Sequence, residues 1–261
     1  HGQTWHLRLP WGWNTGRYGP REAGNNDPLV VDPDPEHLHD PSVEAICRDY
    51  LNLRYRLLPY NYSLAWQAHQ TGMPMIRAMW LHYPEDESAV GLGSQYLWGR
   101  DLLIAPVTEQ GATTRRLYLP EGRWYDWWTA ELVDGGRWIE RDVDRATMPI
   151  YARAGAIVPL DPVRQYTDQP VDAPTEVRVF PGADGMMQWY DDDGISMEYQ
   201  RTGGTVLRLV WNDLDQQLRV SVEPDSAPLA HPKELRVHII GQMQTRDVTF
   251  VGDDLQIECL R

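Results

Sequence analysis

Cysteine and phenylalanine are both scarce in this sequence, with two of each among 261 residues. Cys47 and Cys259 lie too far apart to form a metal or redox spacing, so they read as buried thiols. No apolar run approaches the roughly 20 residues that cross a bilayer, which excludes a membrane helix. Basic residues are in deficit, 24 Lys and Arg against 38 Asp and Glu, giving a net charge of −14. Without a compensating basic stripe, that charge repels a phosphate backbone and excludes nucleic acid as a partner. Also absent are a G-x-S-x-G elbow, a phosphate loop and a Cys/His nucleophile pairing. The first thirty residues lack the basic start and apolar run of a secretory signal. There is no internal repeat and no low-complexity tract.

What the chain does have is amphipathic aromatic rings, 12 Trp and 13 Tyr. Such rings suit interfaces and polyhydroxylated ligands better than plain hydrophobic ones. Hydrophobic residues make up 42% and charged residues 24%, ordinary globular usage. One helix is predicted over 41–71, with Asp40 as cap, Pro41 at the first position and Val43, Ile46, Tyr50, Leu53, Leu57 and Leu64 at helical spacing. Pro59 should kink or break it, and Gly72 should stop it. "PMIRAMWLH" (74–82) reads as a short buried strand and "PEDESAVG" as a polar connection. From residue 95 onward, short strands alternate with Gly, Pro, Asn and Asp, the grammar of antiparallel β-sandwiches. The proline-rich stretch 159–174 is the expected break between two of them.

Local motifs are less informative. "YDDDGISMEY" (190–199) invites a calcium loop, but aligning Gly194 with the loop's fixed glycine puts Trp189 and Gln200 where carboxylates are needed. A tight turn with aspartates accepting backbone hydrogen bonds fits better. His37 and His39 lack a third ligand and read as a solvated loop. Asp101 and Asp126, at strand edges, read as structural carboxylates. An acid/base carboxylate pair cannot be recognised from spacing alone.

The blocks taken in order say more. "RYRLLPYNYSLAWQAHQTGMPMIRAMWLHYPED", "QYLWGRDLLIAPV", "GATTRRLYLPEGRWYDWWT", "MPIYARAGAIVPL" and "YDDDG" together resemble the C-terminal part of glycoside hydrolase family 31, the α-glucosidase and α-xylosidase family. The resemblance covers roughly residues 1–200, with a weaker continuation. It implies a fold that is α/β and then all-β: the end of a (β/α)8 catalytic barrel in 1–85, a proximal antiparallel β-sandwich in 86–165 and a distal one in 166–261. It also implies a C-terminal segment of a longer enzyme, a retaining α-glycosidase that removes terminal α-linked sugars from oligosaccharides, with α-glucosides expected first.

In that family a histidine of an Arg-x-His-Gly segment hydrogen-bonds the sugar of the −1 subsite, and His1-Gly2 matches its second half. His1 is therefore the expected sugar contact, and Trp5, Trp11 and Trp13 are candidate walls of outer subsites. "GPREAGN" only loosely echoes the Glu-Pro-Trp pattern that commonly follows. The catalytic aspartates are expected upstream, none in this segment. No cofactor and no metal are implied. The expected partners are the oligosaccharide and the upstream barrel portion; nothing excludes an oligomer. The alternatives are a non-catalytic carbohydrate-binding β module, against which the long helix argues, or an α-xylosidase, α-galactosidase or transglycosylase of the same family.

Overall fold

The computed structural model describes residues 41–258. These fall into two units. The first holds helix α1 (Pro41–Arg56) and the segment 163–169; the second holds the rest. In α1, Glu44 in the first turn and Arg54 and Arg56 in the last complement the helix dipole, and Glu44 pairs with Arg48 one turn on.

The second unit opens with α2 (Leu58–Thr71). As expected, the helical run is interrupted next to Pro59, which sits in the first turn of α2 where its missing N–H is harmless. Gly72, at φ 75°, closes α2 by donating its N–H to the Ala68 carbonyl at 2.9 Å. The run 74–82 corrects its expectation. Only Ile76–Arg77 forms a strand, β1, and Met79–Leu81 is a 3-10 turn. The reason is local: the Met79 carbonyl accepts from the backbone N–H groups of His82 and Tyr83, which removes them from any ladder. The polar connection contains one helical turn, α3 (Glu87–Val90), capped by the Asp86 carboxylate.

Beyond α3 the described residues are mainly β-sheet. The first nine strands end with β2 (Tyr96–Trp98), β3 (Leu102–Ile104), β4 (Thr114–Leu119), β5 (Arg123–Asp126), β6 (Leu132–Asp134), β7 (Arg137–Asp142), β8 (Ile150–Arg153) and β9 (Ile157–Leu160). Six form one sheet in the order β1-β2-β3-β8-β5-β6, while β4 pairs only with β7. Met79, Leu97, Leu103, Leu117, Leu119, Trp124 and Tyr151 join these elements in one buried cluster.

The remaining strands are β10 (Thr175–Val179), β11 (Gly185–Asp191), β12 (Thr205–Asn212), β13 (Gln217–Val222), β14 (Lys233–Ile239), β15 (Thr245–Phe250) and β16 (Leu255–Glu258). They make two four-stranded sheets, β15-β14-β10-β9 and β11-β12-β13-β16, with the short α4 (Tyr199–Thr202) between β11 and β12. β9 therefore pairs with β10 across the proline-rich stretch. The sequence reading expects antiparallel pairing throughout, and one pair corrects it: β10 and β14 run parallel, because three strands of the other sheet intervene and return the chain in the same direction.

Candidate functional site

Two polar-aromatic clusters gather on α2. Tyr62 and Trp66 are four residues apart and share one face of the helix. Against it lies the end of β11, docked by Ser63: its Oγ donates to the Pro59 carbonyl at 2.7 Å and accepts the Tyr190 N–H at 3.0 Å. Trp66 and Tyr190 stack with centroids 5.4 Å apart and planes 7° from parallel. Gly204 backs this stack, since a Cβ there would sit 2.3 Å from the Tyr190 ring.

Asp192 is the polar centre of the first cluster. Tyr62 and Tyr190 donate their hydroxyls to it at 2.8 and 2.9 Å, and the Gly194 N–H donates at 2.8 Å. Burial, then the hydrogen bond to Asp192, raises both tyrosine pKa values above the ordinary phenol range, so both remain donors at neutral pH. Tyr62, Tyr190 and Asp192, with Trp66, His69, Gln70, Tyr199 and Gln200, line a cavity of about 600 Å³. The volume suits a ligand of a few hundred daltons.

The second cluster lies beside a cavity of about 320 Å³. Buried Arg77 donates Nε–H to the Pro74 carbonyl at 2.7 Å, faces Nε2 of His82 at 3.0 Å and donates a further N–H to Gln67. Since the guanidinium can only donate, His82 Nε2 is an acceptor and the ring is neutral. Burial, then the Arg77 charge, lowers the His82 pKa. Asp101 accepts from Arg153 Nε at 2.5 Å and Arg100 Nε at 3.2 Å.

Sequence-predicted residues fare unevenly. His1, Trp5, Trp11, Trp13, His37 and His39 lie outside the described residues. Asp101 is held by two arginines; Asp126 accepts from Arg141 at 2.6 Å and from the amides of Trp128 and Thr129, so both carboxylates are structural. The aspartate run is a turn: Asp193 accepts from the Ile195 and Ser196 amides, as Asp192 does from Gly194. Among the described residues no group of three His, Cys, Asp or Glu is placed to hold a metal ion, and no helix is long and apolar enough to cross a membrane. Tyr62, Trp66 and Tyr190 escape sequence reasoning. The available signal is their spacing, i and i+4 in "YSLAW" and the tyrosine directly before the aspartates.

Residues 72–158 match the family model of the glycosyl hydrolase family 31 C-terminal domain. An α-xylosidase of Saccharolobus solfataricus is 35% identical over 82% of this chain, and alpha-glucosidase 2 of Bacillus thermoamyloliquefaciens is 36% identical over 64%. The chain spans 29% and 21% of their lengths. Among solved structures, a GH31 α-xylosidase from Xanthomonas citri superposes with a TM-score of 0.78 at 33% identity, covering 85% of this chain and 25% of that one. A GH31 dextranase from Flavobacterium johnsoniae, complexed with glucose, gives 0.71 at 34% identity over 79% and 26%.

Proposed function

Since this chain belongs to glycosyl hydrolase family 31 and carries its C-terminal domain, we propose that it is the C-terminal part of a retaining α-glycosidase whose catalytic aspartates lie upstream. The observation that carries the reading is the match of residues 72–158 to the family's C-terminal domain, supported by a match to one α-xylosidase over 82% of this chain but 29% of that protein. On this reading residues 1–85 are the last elements of a (β/α)8 barrel, 86–165 a proximal β-sandwich and 166–261 a distal one, with β1 contributing to the proximal sheet and β9 to the distal one. Placing the nucleophile elsewhere agrees with Asp101 and Asp126, whose oxygens are engaged by arginines and amides instead of facing a substrate.

The chemistry proposed for the whole enzyme is double displacement. One carboxylate attacks the anomeric carbon, its partner protonates the departing oxygen, and water then cleaves the glycosyl-enzyme with the second residue acting as base. His1 would hydrogen-bond the sugar beside the nucleophile, and Trp5, Trp11 and Trp13 would wall the outer subsites. Terminal α-glucosides of oligosaccharides are the first substrate class. A second reading, α-xylosides, is favoured by the two matches that extend over 82% and 85% of this chain, both α-xylosidases.

The test is product stereochemistry. The protein with its upstream portion is incubated with aryl α-glucoside and aryl α-xyloside, and the sugar released is followed by proton NMR before it mutarotates. Initial release of the α-anomer is expected, and the faster substrate identifies the sugar. Initial β-anomer would contradict a retaining mechanism.

A further inference from the structure

The cavity beside α2 is lined by none of the residues named above as sugar contacts. We infer that it binds a neutral oligosaccharide, with Trp66, His69, Gln70, Tyr199 and Gln200 as the recognising side chains. The inference does not depend on the proposed activity.

Four observations carry it. The cavity, about 600 Å³, falls within the range that encloses a small ligand and opens between α2 and α4. Its walls combine aromatic rings with polar tips, Tyr62, Trp66, Tyr190 and Tyr199, which suits the alternation of C–H faces and hydroxyls on a sugar. Polar groups along one side remain unused: among the described residues the Trp66 indole N–H, the His69 ring and the Gln70 amide make no hydrogen bond. The Tyr199 hydroxyl has only the Gln200 amide, at a marginal 3.5 Å. These are donors and acceptors of the kind that hydroxyl groups satisfy in pairs.

The same geometry argues against charged ligands. Asp192 rules out an anion by repulsion, as does the net charge of −14. It does not serve a cation, because its oxygens already accept from Tyr62, Tyr190 and the Gly194 amide. The ligand class that remains is uncharged, ring-shaped and rich in hydroxyls.

The test reads the site itself. Hydrogen exchange by mass spectrometry is run on the full chain with increasing maltotriose or isomaltotriose, following peptides that span 62–70 and 196–204. Protection of both stretches is expected to saturate, with half-effect on the order of millimolar. Tyr199→Ala and, separately, Gln70→Ala should each raise that concentration at least about tenfold, which corresponds to the loss of one stacked or hydrogen-bonded contact. Gln70 is exposed on the helix, so its variant keeps the test interpretable if Tyr199→Ala unfolds α4. Absence of saccharide protection at these peptides would overturn the inference, as would unchanged protection in both variants. Protection by tetramethylammonium in place of saccharide would overturn it too. None of these outcomes touches the glycosidase reading, which turnover decides.

Discussion

The Arg77 guanidinium faces Nε2 of His82 at 3.0 Å, and Arg100, Arg153 and Asp101 also act on that imidazole. Protonating His82 would set a second cation against Arg77 and remove the acceptor. The folded His82 pKa is lowered, first by burial and then by Arg77, whereas in the unfolded chain it returns to the ordinary histidine value. Lowered in the folded state, it makes the unfolded chain take up the proton first as pH falls. The stability that neutral His82 supplies is complete above about pH 6.5 and is lost as pH drops through and below that value. Replacing His82 by Gln keeps an acceptor without the titration. Thermal melts from pH 7.5 to 5 should therefore show wild type losing stability relative to His82→Gln, and parallel curves would refute the role. The sequence alone gives no hint of this pair, because the 3-10 turn that separates residues 77 and 82 is created by backbone hydrogen bonds to Met79.

Between elements, Ser63 joins α2 to β11. Its Oγ is the acceptor for the buried Tyr190 N–H, which points away from the β12 ladder. Ser63→Ala leaves that N–H unsatisfied and should lower stability by about 2 kcal/mol. Urea unfolding of Ser63→Ala beside Ser63→Thr, which keeps the hydroxyl, measures it; equal losses would mean that packing matters and the hydrogen bond does not. Elements governed by local rules were legible in the sequence: the Pro59 interruption, the Gly72 stop and most strands after residue 95. β6 and β7 are harder to read, since "LVDGGRWIERD" places charges along exposed edges and offers little buried alternation. The parallel β10–β14 pair is illegible for another reason: strands about sixty residues apart in sequence meet through topology, which no local pattern encodes. Likewise, the Tyr62–Asp192 contact joins helix and turn across 130 positions.

For the molecule as a whole, the proposal assigns residues 1–85 to the closing part of a barrel, and the exposure of Ile76 and Trp80 is the kind of apolar surface that neighbouring elements would cover. The buried cluster around Trp124 and the two four-stranded sheets, by contrast, are formed mainly by described residues beyond that part. The proposal thus separates the β portion from chemistry supplied upstream. The most direct test compares the 261-residue chain with the same chain extended through its upstream barrel, assayed side by side on aryl α-glucoside and aryl α-xyloside. The account predicts turnover by the extended protein and none by the shorter chain. Turnover by the shorter chain that disappears when one of its own aspartates is replaced would contradict it, and would place the nucleophile inside this sequence.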